Sequence, residues 1–283
     1  MKKLIITGDD FGLCLAVNEA VEEAHRRGVL STASLMVGAR ATGDAVDRAR
    51  RLIALRVGLH LVLVDGTPTS PSRLVPGLVD ARGEFSCHLF RAGINFFFSP
   101  GIRAQLEQEI RAQFQAFQDT GLSLDHVNCH NHMHLHPTIG RLILKVGREY
   151  GLRAVRFPYE PVLPSWWASR KYLGRKLASG IFLWPWLALL KKQLGAARVR
   201  SNHFVFGMSD SGNMNLDLVL RFIRHLPPGV TEIYFHPATR RCSEAERGKR
   251  YYHYPEELAA LTSPAFRQAL LDLDIQSISF GDL

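Results

Sequence analysis

From Pro161 to Ser209 the chain has no acidic side chain, although it carries 26 Asp and Glu in all. Long apolar runs are missing too. The uncharged stretch LASGIFLWPWLALL (177–190) has fourteen residues, short of the roughly 20 that cross a bilayer. Pro185 would break a helix through it, so no membrane span is expected. The opening MKKLIITGDDFG offers only Leu4-Ile5-Ile6-Thr7 before two aspartates, too short for a secretory leader. A cytoplasmic protein is expected. Cysteine is scarce and scattered: Cys14, Cys87, Cys129 and Cys242 form no CxxC pair, and all four read as reduced, buried thiols. There is no low-complexity tract, no fixed-period repeat, and no helix-turn-helix, zinc-finger or RNA-binding signature. The net charge of +9 therefore does not by itself imply a nucleic-acid partner.

What is present is a globular composition, 46% hydrophobic and 22% charged, sufficient to bury a substantial core. The pattern alternates between strand and helix. KLIIT (3–7), TASLMV (32–37), VGLHLVL (57–63), LDHVN (124–128), LRAVRF (152–157), HFVF (203–206), TEIYF (231–235) and IQSISF (275–280) read as strands. Helical spacing of apolar residues falls at 16–28, 41–54, 100–121, 138–151, near 215–226 and near 264–273. A loop-rich stretch leads up to about residue 100. Repeated βα units predict a mainly parallel sheet. About seven of them favour a distorted TIM-like (β/α) barrel over a doubly wound sheet, as one domain over 1–283 with an insertion near 161–200.

Within that insertion Arg170, Lys171, Arg175 and Lys176 precede the apolar stretch, and Lys191 and Lys192 follow it. Aromatic and aliphatic residues flanked by cations suit a segment lying at an anionic membrane surface. The plainer alternatives are a helix buried against the barrel or a homodimer contact.

Four polar clusters sit at or near strand C-terminal ends, which a βα barrel gathers on its catalytic face. Asp9-Asp10 follow the first strand, and His60 lies near the end of the third. HVNCHNHMHLHP (126–137) packs in five histidines, and His236 follows TEIYF. Asp9 or Asp10 alone could cap the next helix, and His60 alone would pass as a core histidine. Together they describe two carboxylates and several imidazoles, a set that binds a divalent metal and leaves room for water and substrate. If the histidine run stays extended, its alternate residues form a comb on one side. One of them would reach the metal and the others would stand around it. Cys129 is a spare thiol beside the site, more suited to filling space than to binding. The spare aspartate becomes a candidate base and His236 a candidate acid.

T-G-D-D-F-G at the start, G-L-H-L (58–61), H-x-N-C-H-N-H-M-H (126–134) and F-H-P (235–237) resemble the YdjC/ChbG family of carbohydrate deacetylases in order and spacing. That resemblance implies a distorted (β/α) barrel that removes acetyl groups from N-acetylated sugars with one divalent metal ion, zinc or magnesium. It implies Asp10, His60 and His130 as metal ligands, Asp9 as the base acting on the attacking water, and His236 as the acid. Arg156, His132 and His134 become substrate contacts. The Trp-rich basic insertion is similar to that of the family's hopanoid-biosynthesis branch, implying an N-acetylglucosaminyl hopanoid as substrate. Its polycyclic tail would lie against Trp184 and neighbouring aromatic residues, gaining about 25 cal/mol per Å² removed from water. The enzyme would then associate peripherally with the inner membrane. A deacetylase of soluble chitooligosaccharides and a non-catalytic metal-binding membrane adaptor are the rival readings.

Overall fold

The βα alternation becomes a seven-stranded parallel sheet in the computed structural model, which describes residues 2–243 and 251–283. The chain runs β1 (Lys2–Phe11), α1 (Leu15–Arg27), β2 (Thr32–Leu35), α2 (Thr42–Arg51) and β3 (Arg56–Leu61). Two helices follow, α3 (Leu89–Phe98) and α4 (Pro100–Asp119), then β4 (Leu124–Cys129) and α5 (Pro137–Gly147). The insertion folds as α6 (Val162–Ser169) and α7 (Leu173–Ala197). The chain closes with β5 (Phe204–Phe206), α8 (Leu216–Arg224), β6 (Gly229–Phe235), α9 (Tyr254–Thr262), α10 (Pro264–Asp272) and β7 (Ile275–Ile278).

Strand order is β4-β3-β2-β1-β6-β5, with β7 also pairing the start of β1. The curled sheet is a distorted (β/α) barrel. The expected strand LRAVRF is reduced to isolated bridges, Val127 to Val155 and Ala154 to Arg200. With the bond from Val205 N to Tyr159 O at 2.9 Å, this segment spans the gap between β4 and β5.

Alternation along the strands sorts side chains between two environments. Leu4 and Ile6 of β1 join the large core under the helices. Ile5 faces the barrel interior, where Ala154, Val230, Ile278 and Phe280 form a small apolar plug. Above that plug the interior turns polar, beginning with Thr7, whose hydroxyl donates to Glu232 at 2.6 Å.

Three further expectations change. The stretch before residue 100 is not loop throughout, since α3 occupies its end. Pro185 does not break α7, which continues from Leu173 to Ala197; Pro185 is exposed, so water can satisfy the carbonyl one turn earlier that loses its donor. The cysteines are not four separate thiols, because Cys14 and Cys242 are bonded. They are 228 residues apart in sequence but follow the neighbouring strands β1 and β6, an adjacency only the sheet creates. Cys87 is exposed and Cys129 buried.

Candidate metal centre

The site begins with an irregularity in β1. Gly8 pairs with Ala33 but Phe11 pairs with Leu35, so one extra residue is inserted in β1. Asp10 absorbs it at φ 63°, a left-handed conformation that aspartate tolerates better than most residues. Neighbours on a regular strand point to opposite faces; this bulge turns two consecutive carboxylates toward the same end of the barrel.

Asp10, His60 and His130 are buried and converge. Asp10 Oδ1 lies 3.3 Å from His60 Nε2 and 3.1 Å from His130 Nδ1. The two imidazole nitrogens are 3.3 Å apart. Ligands about 2.0–2.1 Å from a tetrahedral ion stand about 3.3 Å from one another, so the triad fits a single divalent cation. It is the candidate cluster found among the described residues. The tautomer suits this role too. Asn128 Oδ1 accepts the Nδ1–H of His60 at 2.7 Å, which leaves the Nε2 lone pair facing the other two ligands.

Asn128 is placed in turn. Its amide donates to Asp9 Oδ1 at 3.1 Å and to Ser34 Oγ at 2.9 Å. Ser34 meets His126 Nε2 at 3.0 Å, and His126 Nδ1 meets Asp125 at 3.0 Å. A Cβ on Gly58 would stand 2.4 Å from the His126 ring, so only glycine lets β3 pass this imidazole. That is the physical content of Gly58 in G-L-H-L.

Asp9 is held by a different partner. The Arg156 fork donates to Asp9 Oδ2 at 2.6 Å and Oδ1 at 3.0 Å. It also donates to Glu232 at 2.7 and 2.8 Å. Burial pushes the Asp9 carboxyl up, but Arg156, His60 and His236 outweigh it, and Asp9 lies well below the usual carboxylate range. It is ionised throughout the working pH range. The expectation that Arg156 touches substrate is corrected: the side chain is fully buried behind Asp9, with its guanidinium committed to two carboxylates.

His236 leaves the sheet beside Asp9, because Gly8 of β1 is paired with Phe235 of β6. Its backbone N–H donates to Glu257 at 2.6 Å, and its ring packs between those of Tyr234 and Tyr252. A cavity of about 170 Å³ opens beside His130, lined among others by Met36, Arg40, Val62, Asp65 and Thr67.

The histidine comb does not form. After His130 the chain enters a 3₁₀ turn, with Asn131 and His132 at φ 53° and 52°, and the side chains diverge. His132 Nε2 lies 3.0 Å from the Tyr234 hydroxyl, and His136 bonds the Gly93 carbonyl at 3.0 Å. Burial drives His132 well below the ordinary histidine range and His134 down to about 3, so both are neutral. His134 is 1% exposed. Trp184, expected against the apolar tail of the substrate, lies on the outward side of α7 and is 62% exposed. Burial raises the Cys129 thiol above its ordinary range, and it is not among the converging ligands.

Residues 3–272 match the family described as YdjC-like protein. The chain belongs to that family. Among relatives of this YdjC-like chain, a carbohydrate deacetylase of Brevibacillus brevis is 31% identical over 99% of both proteins. One of Oceanobacillus iheyensis is 34% identical over 51% of this chain and 60% of that protein. The crystal structure of a proposed cellobiose-phosphate cleavage protein from Enterococcus faecalis superposes with a TM-score of 0.77 at 25% identity, covering 99% of this chain and 98% of that one.

Sequence reasoning missed Asn128, Glu232 and Glu257. Glu232 had a visible signal, a lone carboxylate inside the otherwise apolar TEIYF strand. Such a residue needs a buried partner, and Arg156 is that partner.

Proposed function

We propose that this protein is a metal-dependent carbohydrate deacetylase, hydrolysing the amide of an N-acetylated sugar to acetate and a free amine. The observation that carries the reading is the division of labour between adjacent carboxylates. Asp10 joins two imidazole nitrogens in a metal-sized triad, while Asp9 is kept ionised beside it by Arg156. A divalent cation held by Asp10, His60 and His130, with zinc favoured over magnesium by the two nitrogen ligands, would supply Lewis acidity to the acetamide carbonyl and the water.

The other roles belong to the chain's own groups. Asp9 takes the proton from the attacking water, and its bidentate anchor on Arg156 aims the carboxylate. His236, its backbone tied to Glu257, gives a proton to the departing amine nitrogen. Asn128 joins the two halves of the site by bonding both Asp9 and His60.

The substrate we favour is a lipid-linked one, an N-acetylglucosaminyl hopanoid, handled by a peripheral protein at the cytoplasmic face of the inner membrane. The exposed aromatic and aliphatic surface of α6 and α7 supports this, since a soluble oligosaccharide has no use for it. No helix among the described residues is long and apolar enough to cross a membrane. Acetate release from the N-acetylglucosaminyl hopanoid, set against release from diacetylchitobiose, tests the assignment. The glycolipid is expected to react faster; clear preference for the soluble disaccharide would sink the lipid reading and leave the deacetylase standing.

A further inference from the structure

Helix α7 rests on the barrel by a narrow stripe. Lys176, Leu187, Leu190 and Leu194 are buried and Leu183 half-buried, at the three- and four-residue spacing of one helix face. The rest of its circumference faces outward and carries no charge between Leu177 and Leu190. Ile181 is 75% exposed and Phe182 71%, with Leu177, Trp184 and Trp186 beside them. Isolated exposed apolar residues need no explanation, but contiguous patches do.

A second helix adds to this surface. On α3, Phe98 is 72% exposed, with Ile94 and Phe97 also open. The two helices clamp the first turn of α5 from either side. His136, at the start of α5, bonds the Gly93 carbonyl of α3 and meets the rings of Phe96 and Phe97. One turn later Gly140 lies against Leu190 and Gln193 of α7. The α5 helix begins directly after the turn that carries His130, so both helices pack against the element that leads away from the metal centre.

The charge at this rim has one sign. Lys171, Lys191 and Lys192 are exposed and pair with no carboxylate among the described residues. The sequence supplies no acidic residue from 161 to 209. A second copy of the chain set against this face would oppose lysine to lysine. A bilayer containing anionic lipid would instead accept the aromatic residues at headgroup depth and the ammonium groups at phosphate level.

We infer that the outward side of α7 and the Phe97–Phe98 end of α3 together form a docking surface for an anionic bilayer, seating the mouth of the metal centre at the lipid headgroups. This deepens the lipid-linked reading above and rests on it for its purpose. Its test is independent, because vesicle partition is read without substrate.

The full-length chain is sedimented with phosphatidylcholine vesicles, with or without phosphatidylglycerol. Partition onto the anionic vesicles is expected, falling as salt rises. Ile181→Ser and Phe98→Ser should each weaken it about tenfold, and Lys191→Gln with Lys192→Gln by about fivefold per cation. Thermal midpoints are measured alongside, and because all four side chains point outward they should match the parent's. The lysine pair remains a usable variant should either serine variant be unstable. No partition of the parent chain, partition indifferent to all these changes, or self-association that the same changes abolish would each overturn the proposal. Partition without acetate release would sink the deacetylase reading instead.

Discussion

Arg156→Lys is the sharpest probe of the site, because it keeps the buried charge and removes only the fork. The arginine makes four charge-assisted contacts of 2.6 to 3.0 Å, two to Asp9 and two to Glu232. An ammonium group is a single point with three donors and cannot lie flat between two carboxylates. It should keep about two of the four contacts. Each lost bond to a charged group is worth about 1.5–3 kcal/mol. With partial recovery through water, the destabilisation should be about 3 kcal/mol, or roughly 5 °C in thermal midpoint for a chain of this size. The catalytic effect should be larger. A displacement of Asp9 by about 1 Å is enough to cost about a hundredfold in rate. Differential scanning calorimetry reads the first quantity and acetate release the second. If the midpoint moves by less than a degree and turnover stays within threefold, Arg156 does not position Asp9 and the assignment of the base loses its support.

Asp9→Asn should lower acetate release by at least about a hundredfold while metal content stays at the parent level; loss of the metal would make Asp9 a ligand rather than the base. Burial pushes the Glu257 carboxyl up to about 7 from 4.5, against the backbone N–H groups of Met214 and His236 that it accepts. A carboxyl raised in the folded state stabilises the fold fully below pH 4.5, and that contribution is lost as pH rises through 7. Urea denaturation across this window should show about 3 kcal/mol lost, and Glu257→Gln should flatten the slope; an unchanged slope would refute the buried-carboxyl account. Gly58→Ala places a methyl group 2.4 Å from the His126 ring and 2.6 Å from its carbonyl. Equilibrium unfolding should register a loss of about 1–3 kcal/mol or more, and a neutral result would mean that β3 and β4 can part at no cost.

Most βα units could be read from the sequence because their signal is local. Apolar periodicity placed α1, α2, α4, α5 and the strands near their observed bounds, and the polar clusters at strand ends marked Asp9, Asp10, His60, His130 and His236. Where the reading went astray, the deciding interaction was distant in the chain. LRAVRF has strand composition but meets its neighbours only at isolated bridges. The histidine run has the spacing of an extended comb, yet Asn131 and His132 turn left-handed and scatter the rings. Pro185 was misjudged for a related reason, since its position on the exposed side of α7 appears nowhere in the local sequence.

The chemical inventory is legible in the chain alone: the alternation of strand and helix, the carboxylates and imidazoles at strand ends, and the acid-free basic insertion. How these groups are used depends on the packed barrel. The bulge at Asp10 turns two neighbouring carboxylates to one side, and the buried Arg156 serves Asp9 and Glu232 from a position that looks like a substrate contact in the sequence. The parallel sheet also brings Cys14 to Cys242. Local propensity acts over a few residues, whereas a buried charge is satisfied by whichever partner the packed barrel brings within hydrogen-bonding distance.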